Sequence, residues 1–238
     1  MAATLQLGNI AVEVIQKDIK NVHLSVYPPN GKVRIAAPLR MDVETIRVYA
    51  VSKLPWIRQQ QRKMAQQERE SPRECIERES HYVWGKRYLL KVVEHDAPPQ
   101  IHRTPSKLIL RLRPETPEPK RREVLDAWYR DQLRQAAAPL IEKWQPLLGV
   151  KVTQLYIQRM KTKWGSCTHA AARTRLNTDL AKKPPECLEY IVVHEMAHLL
   201  EPTHNKRFLA IMDQFMPKWR QHRQTLNRLP VRHENWEN

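Results

Sequence analysis

The residues best suited to chemistry lie in Tyr190-Ile191-Val192-Val193-His194-Glu195-Met196-Ala197-His198. His194 and His198 are four apart, so on a helix they project from one face, one turn above the other, and two imidazoles can grip one metal ion. Glu195 stands beside the first of them, placed to accept a proton from an activated water without being a ligand. His204 follows behind Glu201-Pro202-Thr203, where Pro202 must end the helix and the loop can return a third imidazole to the same ion. Three neutral imidazoles with an open fourth position describe a catalytic site. Zinc is the default ion, with nickel, cobalt or manganese as other occupants. A structural metal in a basic nucleic-acid-binding module is the non-enzymatic alternative, but such sites usually have four protein ligands and a fourth is not evident.

The elements that must position this motif can be read on either side of it. Pro185 suits the first turn of the metal helix, and strand-like runs at Val152 to Ile157 and Arg173 to Thr178 precede it. Upstream, a long amphipathic helix is expected from about Arg121 to Gln145, interrupted by Pro139. The Pro-rich run Arg113 to Pro119 reads as a connector, dividing residues 1–113, β-rich with one long helix, from residues 114–238, which carry the metal motif, and the two parts could also pack as one domain. In the first part, Val12, Val14, Val22, Leu24, Val26, Val33 and Ile35 alternate at period two, with Pro28-Pro29-Asn30-Gly31 as a turn. A small antiparallel sheet is expected. Helical spacing then begins after a capping Asp42, Pro55 kinks that helix or starts another, and Gln59 to Glu70 reads as an exposed polar helical end. Further strands are expected at Tyr88 to Val93 and Leu108 to Leu112, around a turn at Pro98-Pro99. No internal repeat is visible. Strands and helices do not alternate regularly, so the fold class is α+β rather than parallel α/β.

Composition narrows the setting. The chain has 238 residues, 41% of them hydrophobic, and seven tryptophans spread along its length, which rules out wholesale disorder. No run approaches the roughly 20 apolar residues of a spanning helix, and no secretory signal is visible from Met1 to Ile15, so a cytoplasmic protein with no membrane partner is expected. Cys75, Cys167 and Cys187 are odd in number and far apart, which argues against a disulfide framework and a Cys-type metal site. The formal charge of +16 points to polyanionic partners, a nucleotide or a nucleic acid among them.

The motifs together resemble those of one known family. Arg159-Met160-Lys161-Thr162-Lys163-Trp164-Gly165-Ser166-Cys167, Arg175-Leu176-Asn177 with Leu180, the Tyr190 to His198 run, His204 with Phe208, and Pro217 before Trp219 are similar to the YgjP-like metal-dependent hydrolases. Pro38, Trp56-Ile57 and Trp84 to Tyr88 extend the resemblance, more weakly, over the N-terminal part. It implies a zincin-like catalytic unit and a metal site similar to those of zincin peptidases and of SprT-like proteases acting on DNA-bound proteins. It also implies hydrolysis of nucleoside triphosphates, UTP in particular, to monophosphate and pyrophosphate. The histidine spacing also matches metzincin peptidases, but Glu201 stands where their turn glycine would be.

An activated water attacks a peptide carbonyl or a phosphoryl centre with the same ligands and base, so the motif alone does not select a substrate. From Lys151 to Lys183 the chain carries eight basic residues against the single acid Asp179. Such a run suits a polyphosphate, whose transfer spreads charge over several oxygens. A nucleoside triphosphate is therefore the favoured substrate, with magnesium or manganese then possible cofactors, and a zinc metallopeptidase is the alternative. Arg159, Lys161, Lys163, Arg173 and Arg175 are the candidate phosphate contacts, and the same residues could instead solvate a sheet edge. Trp164 could stack on a base or pack in the core, and Ser166 and Asn177 could bind substrate or satisfy backbone groups in turns.

Overall fold

The computed structural model describes residues 2–27, 30–66 and 74–230. It resolves into two compact units, the first formed by the residues up to Glu70 together with Pro230 and the second spanning Ser71–Leu229. The division expected at 113/114 falls inside the second unit, because the strands before it and the helices after it share one hydrophobic core. The architecture is α+β, as expected from the pattern of elements. Among the described residues no helix is long and apolar enough to cross a membrane.

The first unit holds β1 (Ala2–Leu7), β2 (Ile10–Lys17), β3 (His23–Tyr27) and β4 (Lys32–Pro38), in the order β1-β2-β4-β3. Its outer pairs are antiparallel, but β2 and β4 run parallel, with Val14 opposite Ile35. The expected all-antiparallel sheet is thus corrected, since alternation fixes which face of a strand is buried and says nothing of its neighbour. Val12, Val14, Val33 and Ile35 pack against Ile46 and Ala50 of α1 (Val43–Ser52) and Ile57 of α2 (Leu54–Gln66). Asp42 caps α1 by accepting the Thr45 N–H at 2.8 Å, and Pro55 lies in the first turn of α2, where its missing donor costs nothing. Pro28 and Pro29 of the expected turn, and residues 67–70 of the expected helical end, lie outside the described residues.

The second unit begins with β5 (Ser80–Val83), β6 (Lys86–Glu94), β7 (Gln100–Arg103) and β8 (Lys107–Leu112), in the order β5-β6-β8-β7 with β6 parallel to β8. This repeats the topology of the first sheet. Helix α3 (Glu118–Leu148) follows and runs unbroken through Pro139 and Pro146. The expected interruption at Pro139 is absent because that residue is exposed, so the carbonyl it orphans faces water, while Leu125, Tyr129, Leu133, Ala137, Ile141 and Trp144 hold the opposite face in the core. A third sheet has the order β10-β11-β9, formed by β9 (Gln154–Gln158), β10 (Gly165–Thr168) and β11 (Arg173–Asn177). After a 3-10 turn at Thr178–Lys182 come α4 (Pro185–Ala197), α5 (Lys206–Phe215) and α6 (Trp219–Arg228).

Helix α4 is buried on nearly every side, through Leu188, Tyr190, Ile191, Val192, Val193 and Met196. Its start is fixed from the second sheet: the Trp84 and Gly85 amides at the β5–β6 turn donate to the carbonyls of Ala181 and Lys182, at 2.9 and 3.2 Å. Its middle is fixed by Glu189, which accepts the Trp144 indole N–H at 2.9 Å and the Lys143 ammonium at 2.7 Å from α3. A helix held at both points presents its side chains at set positions, which is what a metal site requires.

Candidate metal centre

His194 lies in the last turn of α4, and His198 is the residue that closes it, still helical at φ −65° and ψ −15°. Glu201 and Pro202 then turn the chain. Glu201 accepts from the backbone and hydroxyl of Thr203, and Asn205 caps α5 by accepting the Phe208 N–H at 3.1 Å. This loop returns His204 so that its Nε2 is 3.0 Å from His194 Nε2, and one ring nitrogen from each of the three histidines lies within 4.8 Å of the others.

These positions fit a single divalent ion. Two imidazoles at 2.0–2.1 Å in tetrahedral arrangement bring their ligating nitrogens to about 3.3 Å apart. His198 Nδ1 is 3.1 Å from the Glu201 carbonyl, which can only accept, so Nδ1 carries the proton and the Nε2 lone pair is left for a metal. Burial, followed by the neighbouring imidazoles and Arg223, pushes His194 down to about 3 and also lowers His204, so both rings are neutral near neutral pH, as ligands must be. Phe208, fully buried on α5, lies beneath all three rings, with centroids 4.6 to 4.9 Å away.

Glu195, next to His194 on α4, borders the same cavity and is 4% exposed. Burial raises its carboxyl to about 8, against the opposing pull of Lys163. Gly165 of β10 packs against it so closely that a Cβ there would sit 2.5 Å from Oε1. A cavity of about 510 Å³ opens beside these groups, walled by the Thr162 to Cys167 stretch on one side and by Arg223 and Asn227 of α6 on another. Its contents can do one kind of chemistry: activate water beside a carboxylate able to take and return a proton.

The structure brings His194, Glu195, His198, His204, Lys163, Trp164 and Ser166 to this cavity. It does not bring Arg159, Lys161, Arg173, Arg175 or Asn177 to its wall. Arg175, paired with Ser166, turns its guanidinium over the Tyr156 ring of β9, and Arg173 is exposed. Asn177 is structural. Its Nδ2 donates to the carbonyls of Met160 and Lys163 at 2.8 and 2.9 Å, which ties down the loop that presents Lys163. Trp164 packs on the core, as one of its two readings had it, and also borders the cavity, with the Lys183 ammonium 5.7 Å from its ring.

Sequence reasoning missed Gly165, Tyr190, Arg223 and Asn227 as cavity residues. A signal for Arg223 did exist. Trp219 and Leu226, seven apart, are both buried on α6, and Arg223 lies between them on the same side of the helix.

A family model described as YgjP-like, metallopeptidase domain, matches residues 20–229. No curated protein matches the chain. Among solved structures, the metallopeptidase zymogen abylysin of Pyrococcus abyssi is similar at 20% identity with a TM-score of 0.36, over 38% of this chain and 90% of that one. The zymogen jannalysin of Methanocaldococcus jannaschii is similar at 19% identity and 0.34, over 38% and 92%.

Proposed function

Since the chain belongs to the YgjP-like metallopeptidase-domain family and is accordingly a metal-dependent hydrolase, we propose that it is a zinc peptidase in which Glu195 is the general base. The observation that carries the choice of a peptide is the strand beside the metal ligands. β10 lines the cavity and is the edge of its sheet; among the described residues no strand pairs with its outer side. An extended peptide can add to such an edge through its backbone, which a nucleotide cannot do. The polyphosphate reading loses its main support at the same point, because of the eight basic residues between Lys151 and Lys183 only Lys163 borders the cavity.

His194, His198 and His204 would hold the ion, and when bound it supplies Lewis acidity that lowers the pKa of water and polarises a carbonyl. The chain's own residues do the rest. The Glu195 carboxylate takes the proton of the attacking water and returns it to the departing amine; its burial, which favours the protonated form, helps it hold the proton between the two transfers. Gly165 leaves room for that carboxylate, and the Glu201 carbonyl holds the His198 ring in one tautomer.

The test is a screen of zinc-loaded protein against short peptides, casein and the common nucleoside triphosphates, following new amino termini, phosphate and pyrophosphate. New amino termini that vanish with a chelator and in Glu195→Gln carry the proposal. Pyrophosphate release that vanishes in Glu195→Gln, without new amino termini, would replace it with the nucleotide reading.

A further inference from the structure

The cavity beside the metal ligands is bordered on one side by α6. Arg223 and Asn227, one turn apart, border both that cavity and a second depression of about 330 Å³ lined also by Trp219, Gln224 and Arg228. Helix α6 is not free to turn this face elsewhere. Trp219 stacks on Tyr190 of the metal helix with centroids 6.4 Å apart and donates its indole N–H to Asp213 at 2.7 Å, and Leu226 is fully buried.

The face is cationic. Arg220 is taken by Asp213, but Arg223 and Arg228 have no acidic partner among the described residues, and no Asp or Glu lines the second depression. Among the described residues the one carboxylate on the wall of the metal cavity is Glu195, which is buried. A guanidinium with an amide one turn on offers several convergent N–H donors, suited to the two oxygens of a carboxylate. Resting on the peptidase reading, the geometry points to a subsite along α6, built from Arg223 and Asn227 and extended by Arg228, that takes a carboxylate of the peptide substrate. That carboxylate is either the free C-terminus or an Asp or Glu side chain close to the scissile bond. Arg223 is thus a specificity residue, acting on which peptides dwell at the metal rather than on the bond-breaking step.

The experiment uses zinc-loaded full-length protein and one peptide frame in three forms: free C-terminus, amidated C-terminus, and amidated with Glu in place of Gln near the end. Binding is measured calorimetrically on Glu195→Gln, cleavage on the otherwise wild-type chain, each with and without Arg223→Met or Arg223→Lys. The inference expects a carboxylate-bearing form to be preferred over the plain amide by on the order of ten- to a hundred-fold, through KM more than kcat. Arg223→Met should collapse that ratio toward one, and Arg223→Lys should keep only part of it, because an ammonium cannot reproduce the fork. Comparing the free-acid form with the Glu form identifies the source of the carboxylate. Peptides cut with no such preference, or a preference that survives Arg223→Met, would overturn the subsite and leave the peptidase reading standing. No binding and no cleavage of any peptide would remove both.

Discussion

The β1–β4 and β5–β8 sheets have the same strand order and the same central parallel pair, yet only one of them supports a site. Each opens with a hairpin whose turn contains a left-handed glycine, Gly8 at φ 62° and Gly85 at φ 77°. Gly8 has nothing within 4 Å of where a Cβ would be; at Gly85 a Cβ would be 3.0 Å from the Pro184 ring. The second turn is therefore a clasp. It receives the chain just before the metal helix, through the Trp84 and Gly85 amides and through contact with Pro184, whereas the first turn is open. One topology does two jobs, and the difference lies in what its first turn touches.

The largest expected effects come from the cores. Ile35 of β4 and Leu110 of β8 are both fully buried on a central strand, and truncating either to Ala should cost about 2–5 kcal/mol. The comparison predicts different companions to that loss: denaturant melts should show both, but only Leu110→Ala should lower retained metal, measured after dialysis against a weak chelator. Equal metal loss in both variants would break the distinction between the two sheets.

The turns sharpen it. Gly8→Ala should cost about 1 kcal/mol, the penalty of a left-handed residue alone. Gly85→Ala adds the approach to Pro184 and should cost about 2–3 kcal/mol, again with weakened metal retention. Thermal melts of the pair would contradict the clasp if the two losses were the same.

A smaller contrast depends on pH. Beside β5, burial pushes Glu79 up, but the His81 hydrogen bond and charge and the amides of Glu74 and Cys75 outweigh it and hold the carboxyl at about 2. A depressed carboxyl contributes stability that is complete above its ordinary value near 4.5 and is lost as pH falls from there toward 2. Glu79→Gln should therefore flatten the acid side of the stability curve in that window. Glu13, on β2, is also held low, by the Lys32 hydrogen bond first and by Arg34, but it is only half-buried and its partners are exposed, and Glu13→Gln should leave the melt almost unmoved at moderate salt.

The metal helix, its proline start, the capped α1 and most strands were legible because each has a local cause: a period, a cap or a breaker. What was hidden is non-local. The doubled sheet leaves no trace as a repeat, since Val12, Val14 and Ile35 in one and Leu90, Leu108 and Leu110 in the other share burial and not identity. Pro139 misled because a helix tolerates proline on its wet face. Asn177 stayed open between substrate and backbone, and the basic run misled, because residue type does not tell whether a side chain faces a cavity, a backbone or water. Arg223 was passed over because its importance comes from where Trp219 and Leu226 pin α6, a fact of packing.

The central claim is that the three-histidine centre and Glu195 form one hydrolytic site, with the histidines holding metal and the glutamate moving the proton. Metal content and peptide turnover measured together on wild type, His194→Ala and Glu195→Gln test it most directly. The account predicts about one zinc per chain in wild type and in Glu195→Gln, little in His194→Ala, and a fall in kcat of at least about a hundred-fold in both variants. A Glu195→Gln protein that keeps its metal and turns over peptide at a near-normal rate would contradict it.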